Sequence, residues 1–251
     1  MHRFYLPPDQ CRGSVLALTA REAHHGLHVL RLQPGERVGV LDGAGHEFLC
    51  EVSELGRDTV RLSVVQKDAA SPLPYTITLL QAVTKSKSFD TIVQKATELG
   101  VSRIVPLLSD RVVAHLDDEK AETKLEKWRL IAIEAIKQCG SPWLPQIDAP
   151  LSPHAFLEGG EKFELSLIAS LQPDSRHPRE WFKRFCEERQ RLPQSAAIWI
   201  GPEGDYTPAE MNSIKAAGAL PITLGKLVLR SETAAIYCLS ILNYELQAKY
   251  P

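Results

Sequence analysis

From Tyr75 onward the chain repeats one pattern: a short apolar run, a turn, then a stretch with helical spacing. The runs are Tyr75–Val83, Arg103–Leu108, Leu165–Ser170, Ala196–Ile200 and Pro221–Leu224, and the helical stretches fall near 89–99, 120–139, 178–190, 208–217 and 231–248. Strands alternating with amphipathic helices form parallel sheets, because each helix carries the chain back to start the next strand in the same direction. Phe89, Ile92, Val93, Ala96 and Leu99 share one helical face, and Gly100 stops that helix. Thr207-Pro-Ala-Glu210 places an N-cap threonine, an N1 proline and an N3 glutamate in capping-box order.

Residues before this region read differently. Arg37–Leu41, Glu47–Val52 and Thr59–Val65 are β-like runs parted by turn signals at Pro34-Gly35, Asp42-Gly43 and Gly56, with one helix-like insert from Ala20 to Leu32. They predict a small antiparallel barrel or sandwich. Ser71-Pro-Leu-Pro74 has the composition of a linker, so two domains are expected, 1–70 and 75–251. Five scattered cysteines lack C-x-x-C spacing, which argues against disulfides and zinc. No apolar stretch approaches the roughly 18 residues of a membrane span, and the start has no signal-peptide core, so a cytoplasmic protein is expected. A net charge of −2 leaves nucleic-acid contact to local patches.

Two glycine loops, Trp199-Ile-Gly-Pro-Glu-Gly-Asp205 and Leu224-Gly-Lys-Leu-Val-Leu-Arg-Ser-Glu-Thr-Ala234, each join an apolar run to a helix start. Such loops on adjacent strands present backbone N–H and C=O groups to a flat ligand. G-x-G-x-x-G, the P-loop pattern, G-x-S-x-G and H-E-x-x-H are missing from the sequence, which disfavours phosphate cradling, serine catalysis and a metal site.

Gly201-Pro-Glu-Gly204, Leu224-Gly225 followed by Leu229-Arg230-x-Glu232-Thr233-Ala234, and Val93-Gln-Lys-Ala-Thr-Glu-Leu-Gly-Val101 resemble the RsmE-type enzymes, SPOUT-class methyltransferases. His24-His25 with Val29-Leu-Arg31, and Trp128 through Lys137-Gln-Cys-Gly140, extend the resemblance over nearly the whole chain. The resemblance implies a PUA-like β-barrel domain for RNA binding, then a parallel-sheet α/β domain tied into a trefoil knot and acting as a homodimer. It also implies S-adenosylmethionine as cofactor and N3 of a uridine in 16S ribosomal RNA of the small subunit as target, with no metal and no membrane. A SPOUT-class tRNA enzyme and a noncatalytic assembly protein are the alternatives.

By the same resemblance the cofactor lies against Leu171, Ile200, Gly201, Glu203, Gly204, Leu224, Gly225, Leu229, Ser231, Thr233 and Ala234. Arg230 either stabilises charge on the uracil carbonyls as N3 loses its proton or is a cation gripping a helix or an RNA phosphate. Glu232 is either a site carboxylate or simply a favoured residue in a helix's first turn. Arg3, His24, His25, Arg31, Lys85, Lys87 and Lys226 are the RNA-contact candidates, the histidines serving otherwise as structural groups. Leu227 and Ser141 stand where the family commonly has arginine, and Asp205 where it often has glycine.

Overall fold

The structure is a computed structural model that describes residues 1–112 and 118–248. The domain expected to run to residue 251 therefore extends three residues past the described chain. Two compact units emerge, one of Met1–Pro72 with Ile133–Leu144, the other of Leu73–Ala132 with Pro145–Pro251.

In the first unit a five-stranded sheet has the order β1-β3-β4-β5-β2. Its strands are β1 (Arg3–Tyr5), β2 (Val15–Leu18), β3 (Arg37–Leu41), β4 (His46–Leu55) and β5 (Val60–Ala69). β3, β4, β5 and β2 pair antiparallel, but β1 runs parallel to β3, with Phe4 opposite Val40, so the sheet is mixed and not purely antiparallel as the turn signals predict. Three residues are too few for a periodicity to register, and β1 escapes the sequence reading for that reason. The inward residues Phe4, Leu16, Leu18, Val38, Val40, Phe48, Val60 and Leu62 form the core. The helical insert starts as α1 (Ala20–His24) and widens into a π-helix at His25–Leu30, which ends on Arg31 in the left-handed conformation, φ 56°.

The Asp42–His46 turn shows how Ile133–Leu144 joins this unit. Asp42 accepts from the amides of Ala44 and His46 at 2.8 and 2.9 Å and from His46 Nδ1 at 2.7 Å. Burial pushes its carboxyl up, but these bonds together hold it below the usual range. The turn then pairs outward, with Leu144 N donating to Gly43 O and Gly45 N to Pro142 O. A Cβ on Gly45 would meet the Trp143 ring at 2.4 Å, and φ there is +99°, so only glycine serves. Lys137, nearly buried, pairs with Glu22 at 2.9 Å and Glu134 at 3.1 Å.

In the second unit six strands run parallel in the order β11-β9-β10-β6-β7-β8. They are β6 (Thr76–Ala82), β7 (Arg103–Leu107), β8 (Gln146–Ile147), β9 (Leu165–Ala169), β10 (Ser195–Ile200) and β11 (Leu220–Ile222). The helices are α2 (Ser86–Glu98), α3 (Asp118–Cys139), which runs on into the first unit, α4 (Pro153–Glu158), α5 (Pro178–Arg189), α6 (Pro208–Ala216) and α7 (Ser231–Gln247). Central strands are buried on both sides, which is why Ile77, Leu79, Leu80 and Ala196–Ile200 read as continuous apolar runs. One core joins Leu80, Val105, Ile168 and Trp199 to Phe156, Met211 and Ile214. Elsewhere α7 lies on β6, β10 and α2, and Asn243 ties it down by accepting from Tyr75 Oη at 2.9 Å and donating to Leu99 O at 3.0 Å.

The face of α2 predicted from spacing is the buried one: Phe89, Ile92, Val93 and Ala96 are fully enclosed, and Gly100 follows with φ +75°. Phe89 rests on Trp128 with ring centroids 4.4 Å apart. Replacing Phe89 with alanine empties this contact, so chemical denaturation should show a loss of about 3–5 kcal/mol in unfolding free energy.

Candidate functional site

Register sets the position of the site. Ile168 lies opposite Trp199, Ala169 opposite Ile222 and Ile200 opposite Gln81, so β9, β10, β11 and β6 end at nearly one level. Ligands in open α/β sheets bind beyond the carboxyl ends of such strands. There the segments 169–171, 200–205 and 224–234 surround a crevice of about 620 Å³, counting its open mouth.

Of the residues proposed for the cofactor, Leu171, Ile200, Gly201, Glu203, Leu224, Gly225, Leu229, Ser231 and Ala234 line this crevice. Gly204 and Thr233 do not. Gly204 turns outward and its carbonyl accepts from Arg111 Nη1 at 2.6 Å, while Thr233 is exposed on the first turn of α7. Ala169, Ser170, Pro202, Asp205, Leu227 and Val228 also line it, outside that set. Leu171, Leu227 and Val228 are 64%, 76% and 78% exposed, giving the mouth an apolar rim.

Local chemistry explains both loops. In the first, Gly201 leaves little room for a side chain, since a Cβ would sit 3.0 Å from Asp205 Oδ1 and 3.3 Å from Tyr206 N, so both would have to give way. Asp205 adopts φ 60°, a left-handed conformation that aspartate tolerates and glycine prefers. Its Oδ1 accepts from Tyr206 N at 2.8 Å. Tyr206 Oη donates to Ile200 O at 3.0 Å, and burial, aided by Glu210 and Asp205, pushes the phenol well above its usual range, so it remains a donor. In the second loop Gly225 has φ +107°, which only glycine adopts freely, and Thr223 Oγ1 accepts from its amide at 3.2 Å. Ser231 opens α7 and donates to Gly201 O at 2.8 Å, joining the two loops.

The charged residues lining the crevice are Glu203 and Asp205, both carboxylates. Anions there oppose polyphosphate and favour a cation, and the apolar lining suits a flat ring. Arg230 and Glu232 stand just beyond. Arg230 is exposed at the N-cap of α7, and Glu232 is half-buried in its first turn. Among the described residues no group of three or more His, Cys, Asp or Glu is placed to hold a metal, and no helix is long and apolar enough to cross a membrane.

The RNA-contact candidates divide between the units. His24, Arg31, Lys85, Lys87 and Lys226 are exposed, and His25 is half-buried. The His24 and His28 rings lie 4.8 Å apart on the helical insert. Arg3 is engaged internally, with Nε on Glu47 at 3.2 Å and its guanidinium against Gly140. Ser141 closes a local turn by accepting from Trp143 N at 3.2 Å and donating to Trp143 O at 3.1 Å.

A parallel sheet with a crevice at its carboxyl edge in one unit, and a small β unit as the other, define a two-domain α/β protein with a ligand site of the open-sheet class. A model of the RNA methyltransferase domain matches residues 71–243, and one of the RNA methyltransferase PUA domain matches residues 18–65. Ribosomal RNA small subunit methyltransferase E of Synechocystis is 32% identical over 98% of this chain and 78% of its own. Its Bacillus subtilis counterpart is 29% identical over 91% and 90%. The chain belongs to the ribosomal RNA small subunit methyltransferase E family. Among solved structures, a Legionella pneumophila protein in complex with bound SAM superposes with a TM-score of 0.87 at 31% identity, covering 96% of both chains. The Neisseria gonorrhoeae ribosomal RNA small subunit methyltransferase E, bound to S-adenosyl methionine, gives 0.83 at 27% identity and 97% of both.

Behind the first loop, Glu210 takes hydrogen bonds from Thr207 N, Thr207 Oγ1, Ser109 Oγ and Asp110 N at 2.9–3.2 Å. Burial raises this carboxyl, but the bonds from Thr207, Asp110 and Ser109 outweigh it and hold it below its ordinary value of 4.5. A depressed carboxyl stabilises the fold above its unfolded value and loses that effect as the pH falls through the folded one. The protection factors of the Thr207 and Asp110 amides against hydrogen exchange, taken relative to the intrinsic rate at each pH, should therefore fall on acidification below about pH 4.5, and Glu210→Gln should remove that fall.

Proposed function

We propose that the chain is an S-adenosylmethionine-dependent methyltransferase acting on N3 of a uridine in 16S ribosomal RNA of the small subunit. The observation that carries this reading is the crevice itself, whose lining charges are the carboxylates Glu203 and Asp205. S-adenosylmethionine is a sulfonium cation with a flat adenine and supplies the methyl group. Glu203 and Asp205 attract its positive charge, the 200–205 and 224–229 loops hold its ring through their main-chain polar groups, and Ser231 fixes the spacing between them. Family membership and the relatives solved with this cofactor support the same reading.

Methyl transfer to a ring nitrogen requires in-line placement of donor and acceptor and loss of the N3 proton. N3 lies on the pairing edge, so the base must be unpaired or extruded. Arg230, exposed at the mouth, stabilises the negative charge that spreads onto the uracil carbonyls. Glu232 follows it in the helix and orients the same mouth. Residues 1–70 serve as the PUA-like β-barrel for RNA binding, with His24, His25 and Arg31 on the phosphates, and Lys85, Lys87 and Lys226 extend contact from the catalytic domain, 75–251.

The carboxy-terminal segment is threaded as a trefoil knot in this reading. Support comes from its path: after the edge strand β11 the chain passes the ends of β9 and β10, and α7 lands on β10 and β6. A homodimer through this domain is supported by α7, which exposes Tyr237 and Tyr244, one heptad apart, opposite its buried Ala235, Cys238, Leu239 and Leu242. The enzyme works in the cytoplasm, where its substrate is.

Calorimetry with S-adenosylmethionine, then methyl transfer to small subunits from an unmethylated strain, tests the function. Binding followed by 3-methyluridine in 16S RNA is expected. Label on tRNA, or binding without transfer to any RNA, would overturn it. Arg230→Ala should lower kcat on the order of 10²-fold while cofactor affinity changes little. Equal loss of both would instead put Arg230 on the cofactor.

A further inference from the structure

Gln81 lies at the carboxyl end of β6, a central strand, paired between Ile200 of β10 and Pro106 of β7, and is wholly buried. An amide in such apolar surroundings is costly to bury unless bonded. Its Nε2 donates to Ala82 O and to Ser231 Oγ, both at 2.9 Å, and its Oε1 has no partner among the described residues. The Ala82 carbonyl can only accept, so the amide end facing it must be nitrogen. Ser231 Oγ therefore accepts a hydrogen bond from Gln81, and its own O–H donates to Gly201 O, 2.8 Å away.

This proton order runs in one direction, from β6 through the first residue of α7 to the loop after β10. The 224–230 loop between β11 and α7 is largely exposed, so where α7 begins decides where that loop stands. We infer that Gln81 is a positioning residue for methyl transfer: through Ser231 it locks the start of α7 to Gly201 and so fixes the distance between the two loops that hold the methyl donor. Gln81 is absent from the crevice lining and acts only through the serine. A displacement of about 1 Å in such a site is enough to lower a rate severely. The inference rests on the reading of the crevice as the S-adenosylmethionine site.

The test compares the wild-type chain with Gln81→Met, which keeps the length and bulk of the side chain without its amide, with Ser231→Ala, and with the double variant. S-adenosylmethionine affinity, kcat, the KM for small subunits and Tm are measured for each. Gln81→Met is expected to melt near the wild type, to bind the cofactor and turn over about tenfold less well, and to keep its KM for small subunits. The double variant should be no worse than Ser231→Ala alone, because both changes break one relay. Wild-type affinity and kcat in a folded Gln81→Met would overturn the inference, as would losses that add in the double variant, or a loss of Tm with unchanged affinity and kcat. Should Gln81→Met not fold, Ser231→Ala decides, since a folded Ser231→Ala with unaltered affinity and kcat breaks the relay without consequence. Failure of the unmodified chain to bind S-adenosylmethionine would instead remove the preceding reading, and is read separately.

Discussion

Flush termination of neighbouring parallel strands is the constraint on which the rest depends. β9, β10 and β11 hold a register that brings Ala169, Ile200 and Ile222 to one edge, and every segment of the crevice begins within a few residues of them. A slip of one residue in β10 would turn Trp199 away from its core on Phe156 and Ile168, so burial fixes the register and the register fixes the site. The loops need only make tight exits, which Gly201, Asp205 and Gly225 provide through small size or left-handed backbone.

The charge of the site follows from the same economy. Main-chain groups at the ends of strands have no net charge, so the character of the crevice is set by the few side chains the loops add. Glu203 and Asp205 make it anionic, while the exposed cations Lys226 and Arg230 stand outside its lining. This separation suits a reaction between a positively charged small molecule and a polyanionic polymer, because each meets the opposite sign on approach.

The sequence made the central sheet legible because doubly buried strands are continuous apolar words: all five runs from Tyr75 to Leu224 correspond to strands. Phe89, Ile92, Val93 and Ala96 announced the buried face of α2, and Thr207 with Glu210 announced the cap of α6, where both arms of the capping box form. β8, two residues long, and α4, six, carry too little pattern to be seen. The helical insert was visible as a whole, but its π-helical second half depends on packing that residue spacing does not encode. Nine of the eleven cofactor candidates line the crevice; of the other two, Gly204 turns outward toward Arg111 and Thr233 lies exposed on the first turn of α7. Asp205 was readable only as a departure from glycine, because neither its left-handed backbone nor its place in the crevice lining shows in residue type. The attachment of Ile133–Leu144 to the first unit was hidden for another reason: α3 is one unbroken helix, and continuity of helix says nothing about which core each end serves.

The crevice draws on residues as late as Ala234, and its final wall is the start of α7, the last helix. During synthesis the sheet strands through β10 are available long before that wall exists. Until synthesis has passed Ala234 this crevice lacks a wall, so nascent fragments that stop short of α7 cannot compete with mature enzyme for the cellular supply of methyl donor.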